Sequence, residues 1–134
     1  MTFIAPPSSA PRPSVPDDVS LASLVDEMVG AAIRSQLWLL YLDADDRPIP
    51  VAMPLEDVAP ELDDAEIDQV TCLARETARQ LGAAQLVLVW EREGGPALTV
   101  GERAGIARVA ERYPDGGLRL RRQFLSHSTG VVAL

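Results

Sequence analysis

Glu91 and Glu93 stand two residues apart at the end of the apolar run LVLVW, and Glu102 follows them across the segment EREGGPALTVGER. In a strand, residues i and i+2 share a face, so the first two carboxylates would sit side by side at the strand's carboxyl end, where open α/β sheets place functional groups. Neighbouring carboxylates can divide acid and base work between them; the plainer alternative is a solvated strand end. The two glycines and the proline that follow lead into a helix, a place where many proteins hold phosphate. A phosphate loop needs glycines that let backbone amides converge on the anion, as in GxxxxGK[ST] or GxGxxG, and GGPALTVGER fits neither. Thr99 and Glu102 instead fit the S/T-x-x-E capping box, in which the threonine hydroxyl and the glutamate carboxylate satisfy the first free amides of the helix. A helix start occupied by its own carboxylate has little use for a ligand phosphate, so the segment reads as a capped connection.

Asp43, Asp45 and Asp46 crowd into DADDRP. A calcium loop spreads its ligands over a dozen residues and closes on a late bidentate acid, whereas aspartates that bond their own backbone make turns. Asp57, Glu61, Asp63 and Asp64 read the same way, as a connection ending in a helix cap. A zinc site needs three or four N, S or O ligands, and a single His127 with a single distant Cys72 offers no such set. Cys72 is expected on the apolar side of a helix, as a small core residue. A serine triad would have to use His127 beside Ser126 or Ser128, in no recognisable context. No metal and no cofactor are expected.

Arg119, Arg121 and Arg122, with Arg112 nearby, form the one basic cluster. They could face an acidic partner or another copy of the chain; the plainer alternative is a charged, solvent-facing strand side that discourages aggregation. Net charge is -8 and unevenly placed: residues 1–97 carry six Arg and seventeen acids, whereas residues 98–134 carry six Arg and three acids. Most of that field repels a polyanion, which makes nucleic acid a poor partner. All twelve basic residues are Arg, a bias that suggests a GC-rich bacterial genome. No segment has the apolar length of a membrane span and the start lacks a signal-peptide pattern, so the location is expected to be cytoplasmic.

These residues need a scaffold. At 134 residues the chain suits one domain, able to bury roughly two thirds of its unfolded surface. Residues 1–17 hold five of eleven prolines and read as a disordered Pro/Ser-rich tail, leaving 18–134 as the domain. Ser20 would cap a helix with Leu21, Leu24, Val25, Met28 and Ala32 on one face. QLWLLYL and IPVAM flank a turn over Asp43–Pro48, and the prolines at 48, 50 and 54 make the second strand short, bulged or an edge. Asp63 or Asp64 opens a helix whose stripe is Ile67, Val70, Leu73, Ala74, Thr77 and Leu81, ended by Gly82. LVLVW is the central strand; Ile106, Val109, Ala110 and Tyr113 mark a third helix ended by YPDGG; RLRRQFL and VVAL are the last two strands. The fold class is α/β (α+β): a mixed sheet of about five strands with three helices, in the order α-β-β-α-β-α-β-β.

With hairpin, helix, strand, Gly/Pro loop and T-x-x-E in place, residues 37–134 resemble the RadC-type branch of the JAB/MPN domains. There a strand leads to HxHP, then Gly and Pro, then S-x-x-D at a helix start; LVLVWEREGGP and TVGE occupy those places here. Glu91 and Glu93 replace the metal-binding histidines and Glu102 the aspartate ligand. The resemblance therefore implies a degenerate, non-catalytic descendant rather than a zinc hydrolase. The layout is similar also to that of small actinobacterial proteins. The expected role is self-association, as a homodimer or larger, or protein binding, through a sheet edge and the Arg119, Arg121 and Arg122 side. The alternatives are a hydrolase-like enzyme using Glu91, Glu93 and Glu102, and a weak nucleic-acid binder through the arginine strand.

Overall fold

The computed structural model describes residues 13–113 and 117–134. Among these residues, three helices and five strands follow in the order α1 (Asp18–Met28), β1 (Gln36–Leu42), β2 (Pro48–Glu56), α2 (Asp64–Leu81), β3 (Gln85–Glu91), α3 (Val100–Ala110), β4 (Arg119–His127) and β5 (Gly130–Ala133). This is the order expected from the periodicities. The strands form one mixed sheet, β2-β1-β3-β4-β5, in which only β3 and β4 run parallel.

The unbroken apolar run of β3 explains the layering. Every residue of β3 is buried. Because its side chains alternate, Leu86, Leu88 and Trp90 join one core with α2 and α3, while Val87 and Val89 join a second core with Leu21, Leu24 and Val25 of α1. A strand covered on both faces has no polar side to present, so LVLVW can only be central. Each such side chain withdrawn from water contributes about 1.5–3 kcal/mol.

Local chemistry sets the helix ends. In α2, Asp63 accepts the amide of Glu66 at 2.8 Å while the Glu66 carboxylate takes the amide of Asp63, and Gly82 terminates the helix in the left-handed region at φ 69°. Its inner stripe is Ile67, Val70, Ala74, Thr77 and Ala78. Cys72 does not share it. The thiol is exposed, because position 72 lies about 200° round the helix from both Val70 and Ala74. In α1 the cap is Asp17 and not Ser20, whose own amide donates to the Asp17 carboxylate at 2.7 Å as part of the first turn. The packed structure also begins upstream of residue 18: Val15 is buried and its amide donates to the Asp46 carbonyl at 2.8 Å. Of the tail expected over 1–17, residues 1–12 lie outside the described residues. So do residues 114–116 of the YPDGG stop.

Two strands differ from their simplest form. β2 is an edge strand with a register shift against Leu40–Leu42, as its prolines require, but it runs for nine residues. β4 carries a bulge: Leu86 pairs with Leu120 and the next residue, Val87, pairs with Arg122, which leaves Arg121 as the inserted residue. The bulge breaks the simple Leu/Arg alternation and turns two consecutive arginines toward the α1 side. Ala110, expected on the inner side of α3, is exposed. No described helix is long and apolar enough to cross a membrane.

Candidate functional site

The segment after β3 places its three acids apart. Glu91 is the last residue of β3 and, like Val87 and Val89, faces the α1 side. Its carboxylate accepts four hydrogen bonds: one oxygen from the Gln36 side chain at 2.7 Å and the Trp38 indole at 2.8 Å, the other from the amides of Ile33 at 2.8 Å and Arg34 at 3.3 Å. Burial pulls this carboxyl up, and the donors led by the Ile33 amide outweigh it and hold it below the ordinary glutamate value. Glu91 thus fastens the α1–β1 connection to the sheet. Glu93 does not share its face, because the strand ends at Glu91 and Glu93 lies exposed in the following bend.

Glu102 lies on the opposite side of the sheet, with α3. The capping box is formed: Thr99 Oγ1 accepts the Glu102 amide at 3.0 Å and Glu102 Oε1 accepts the Thr99 amide at 2.9 Å. The same carboxylate receives Arg92 through both Nε, at 2.7 Å, and Nη2, at 3.2 Å. Arg92 also donates to the carbonyls of Gly95 and Ala97, so one guanidinium ties the Gly/Pro loop to the helix start. Its hydrogen bond and charge hold the Glu102 carboxyl low. Arg92 went unnoticed in the sequence because an arginine beside two glutamates looks like solvated charge. Among the described residues, no group of three or more His, Cys, Asp or Glu is placed to hold a metal ion. Ser126 donates to the Gly30 carbonyl and Ser128 accepts the Gly94 amide, so these two tie distant connections to the end of β4, while His127 Nδ1 lies 3.3 Å from Thr129 Oγ1 in its own turn.

The arginines of β4 are brought together and answered by the chain's own polar groups. Arg119 donates to the Gln85 side chain at 2.8 Å, Arg121 lies between Asp46 Oδ1 and the Asp17 carbonyl, and Arg122 donates to Asp18 at 2.8 Å. The Arg121 side chain is only 9% exposed. Arg112 belongs elsewhere, pairing with Asp64 and Asp68 at the outer surface of α2. Asp43 Oδ1 accepts the amides of Asp45 and Arg47, which is the turn chemistry that its spacing suggests.

What the structure adds is the contrast between the two sheet edges. The β2 edge carries Pro48, Pro50 and Pro54, which cannot donate to an added strand. The other edge carries none. β5 is short and pairs with β4 only over Phe124–His127, extended by the Leu134 amide on the Gln123 carbonyl. Its outer side meets no strand among the described residues. On the α3 side, a groove of about 480 Å³ lies between Leu98 and Ile106 and the strand residues Val132 and Leu134. A second, of about 310 Å³ and more polar, continues past Ile106 and Leu134 to Leu120, Arg121, Arg122 and Gln123 of β4. Among the described residues, Val132 is one of four exposed large apolar side chains.

No protein-family model matches the chain, and no curated protein matches it significantly.

Proposed function

We propose that this protein is a non-catalytic interaction domain that takes a partner by strand addition at the open β4–β5 edge. The observation that carries it is the difference between the edges: three prolines guard β2, whereas β5 presents unguarded backbone beside an apolar groove. The arginines of β4 have a supporting part, keeping the strand beside that edge in place through Asp17, Asp18 and Asp46. Our proposal includes the RadC-type resemblance as that of a descendant whose ligand positions have taken structural work, Glu91 at the α1–β1 connection and Glu102 at the α3 cap. A hydrolase-like role would need Glu91, Glu93 and Glu102 to converge, and Glu91 and Glu102 face opposite sides of the sheet.

The test is an Ala133→Pro variant, which places on β5 the guard that β2 already has. Association with itself in light scattering, or with a protein from the host extract, should be present in the wild type and lost in the variant. Association that survives the proline, or none in either assay, overturns strand addition.

A further inference from the structure

We infer that the partner at this edge is a second copy of the chain, paired antiparallel through β5 about a two-fold axis at Val132, an inference that rests on the strand-addition proposal above. The backbone of β5 sets the geometry. The Leu134 amide donates to the Gln123 carbonyl, and in an antiparallel ladder the residues that face the partner alternate, so Val132 and Gly130 also point their polar backbone groups at β4. Val131 and Ala133 then point theirs outward. In a symmetric antiparallel pair, Val131 of one copy stands opposite Ala133 of the other, each exchanging both hydrogen bonds, and the two Val132 residues meet on the axis as a close, non-hydrogen-bonded pair.

The Val132 side chain projects to the α3 side, as does Leu125, its partner on β4, so the meeting valines would join the two apolar grooves across the axis. Charge favours this edge over other approaches. Two copies at net -8 repel each other, but β5 carries no ionisable side chain, and the nearby Arg121 and Arg122 are already paired with Asp46 and Asp18. A charged peptide would find Arg103 at the rim of the groove but no counter-charge on the strand itself, whereas an identical neutral strand is its own complement. Size sets the strength. A four-residue strand falls below the ~800 Å² per partner of a standard stable interface. The grooves must therefore contribute, and the dimer is expected to be weak, with a dissociation constant in the micromolar to millimolar range.

Sedimentation equilibrium from about 1 µM to about 1 mM spans that range. The wild type should pass from monomer to dimer. Val132→Lys and Val132→Glu should each raise the dissociation constant by about tenfold or more while keeping the wild-type thermal transition, because like charges then meet on the axis. An equimolar mixture of the two should recover a heterodimer, since position 132 faces position 132. A wild type that stays monomeric throughout overturns self-pairing; if Ala133→Pro still abolishes capture of another protein, strand addition itself stands. A wild-type dimer that both Val132 variants leave intact overturns the two-fold register, and strand addition falls with it if Ala133→Pro also leaves the dimer intact. Failure of the mixture to form a heterodimer likewise overturns the axis at Val132.

Discussion

Glu91 sits in a demanding environment, buried and facing four donors. A carboxylate with 3% of its surface exposed persists because four donors point at it, and removing its charge strands those donors. Glu91→Gln keeps one acceptor oxygen and turns an amide against groups that are themselves donors. It should lower stability by about 2–3 kcal/mol, read as a shift in the urea midpoint. The pH dependence has a definite sign. With its folded value below the ordinary glutamate value of about 4.3, Glu91 stabilises the fold fully above that value and loses the contribution as pH falls through the folded one. Between about pH 7 and about pH 3 the wild type should therefore lose more stability than Glu91→Gln; an equal loss would remove Glu91 from the acid limb. Cys72 gives a second residue-level expectation. Because the thiol is exposed on α2, a thiol reagent should modify it to completion in the native protein, with no change in the far-ultraviolet circular dichroism.

At the level of elements, the starts of α2 and α3 were legible, because a cap is chemistry between residues three apart, whereas at α1 the cap expected at Ser20 is Asp17, three residues earlier. Thr99 with Glu102 needed no tertiary information, and the spacing narrowed the α2 cap to Asp63 or Asp64. The packing of α3 did. A Cβ added at Gly105 would stand 1.8 Å from the Pro60 carbonyl oxygen, so this glycine marks where the helix backbone presses on the β2–α2 connection. At Gly101 the nearest atoms belong to the flexible Glu61 side chain, at 3.3 Å. Gly105→Ala should destabilise by about 3 kcal/mol or more, by forcing helix and loop apart. Gly101→Ala should stay within about 1 kcal/mol of the wild type, with helix propensity offsetting a small displacement. Thermal unfolding of the two variants side by side separates these outcomes, and equal effects would mean that α3 can move off the connection freely. The bulge in β4 is the opposite case. RLRRQFL contains no glycine to announce it, and the extra residue follows from Arg121 and Arg122 both reaching acids on the α1 side.

For the whole molecule, the order of the strands predicts how the fold opens. β3 lies at the middle of the sheet between two cores, whereas β5 pairs with a single strand, packs against α1 through Val131 on one face and is partly open to water. Amides of β3 should exchange slowest, at the rate of global unfolding. Among strand amides, the outward-facing ones of Val131 and Ala133 should exchange fastest in dilute protein and slow as concentration rises. Exchange there that ignores concentration would argue against an occupied edge. The β1–β2 turn and the arginine strand, far apart in sequence, form one polar network around Asp46 and Gln85, which ties that turn to β4.

By itself the sequence determined the elements, their order, the cap of α3 and, to within one residue, that of α2, and the central place of LVLVW, since periodicity, capping and the burial of an unbroken apolar run are all short-range consequences of residue type. Only the tertiary structure decided which charges meet. Glu91 and Glu102 parted to opposite faces, Arg92 was drawn onto Glu102, Arg121 and Arg122 turned to α1, and the unguarded edge fell to β5. Strand neighbours and bulges depend on how distant segments pack, and composition along the chain does not encode those distances.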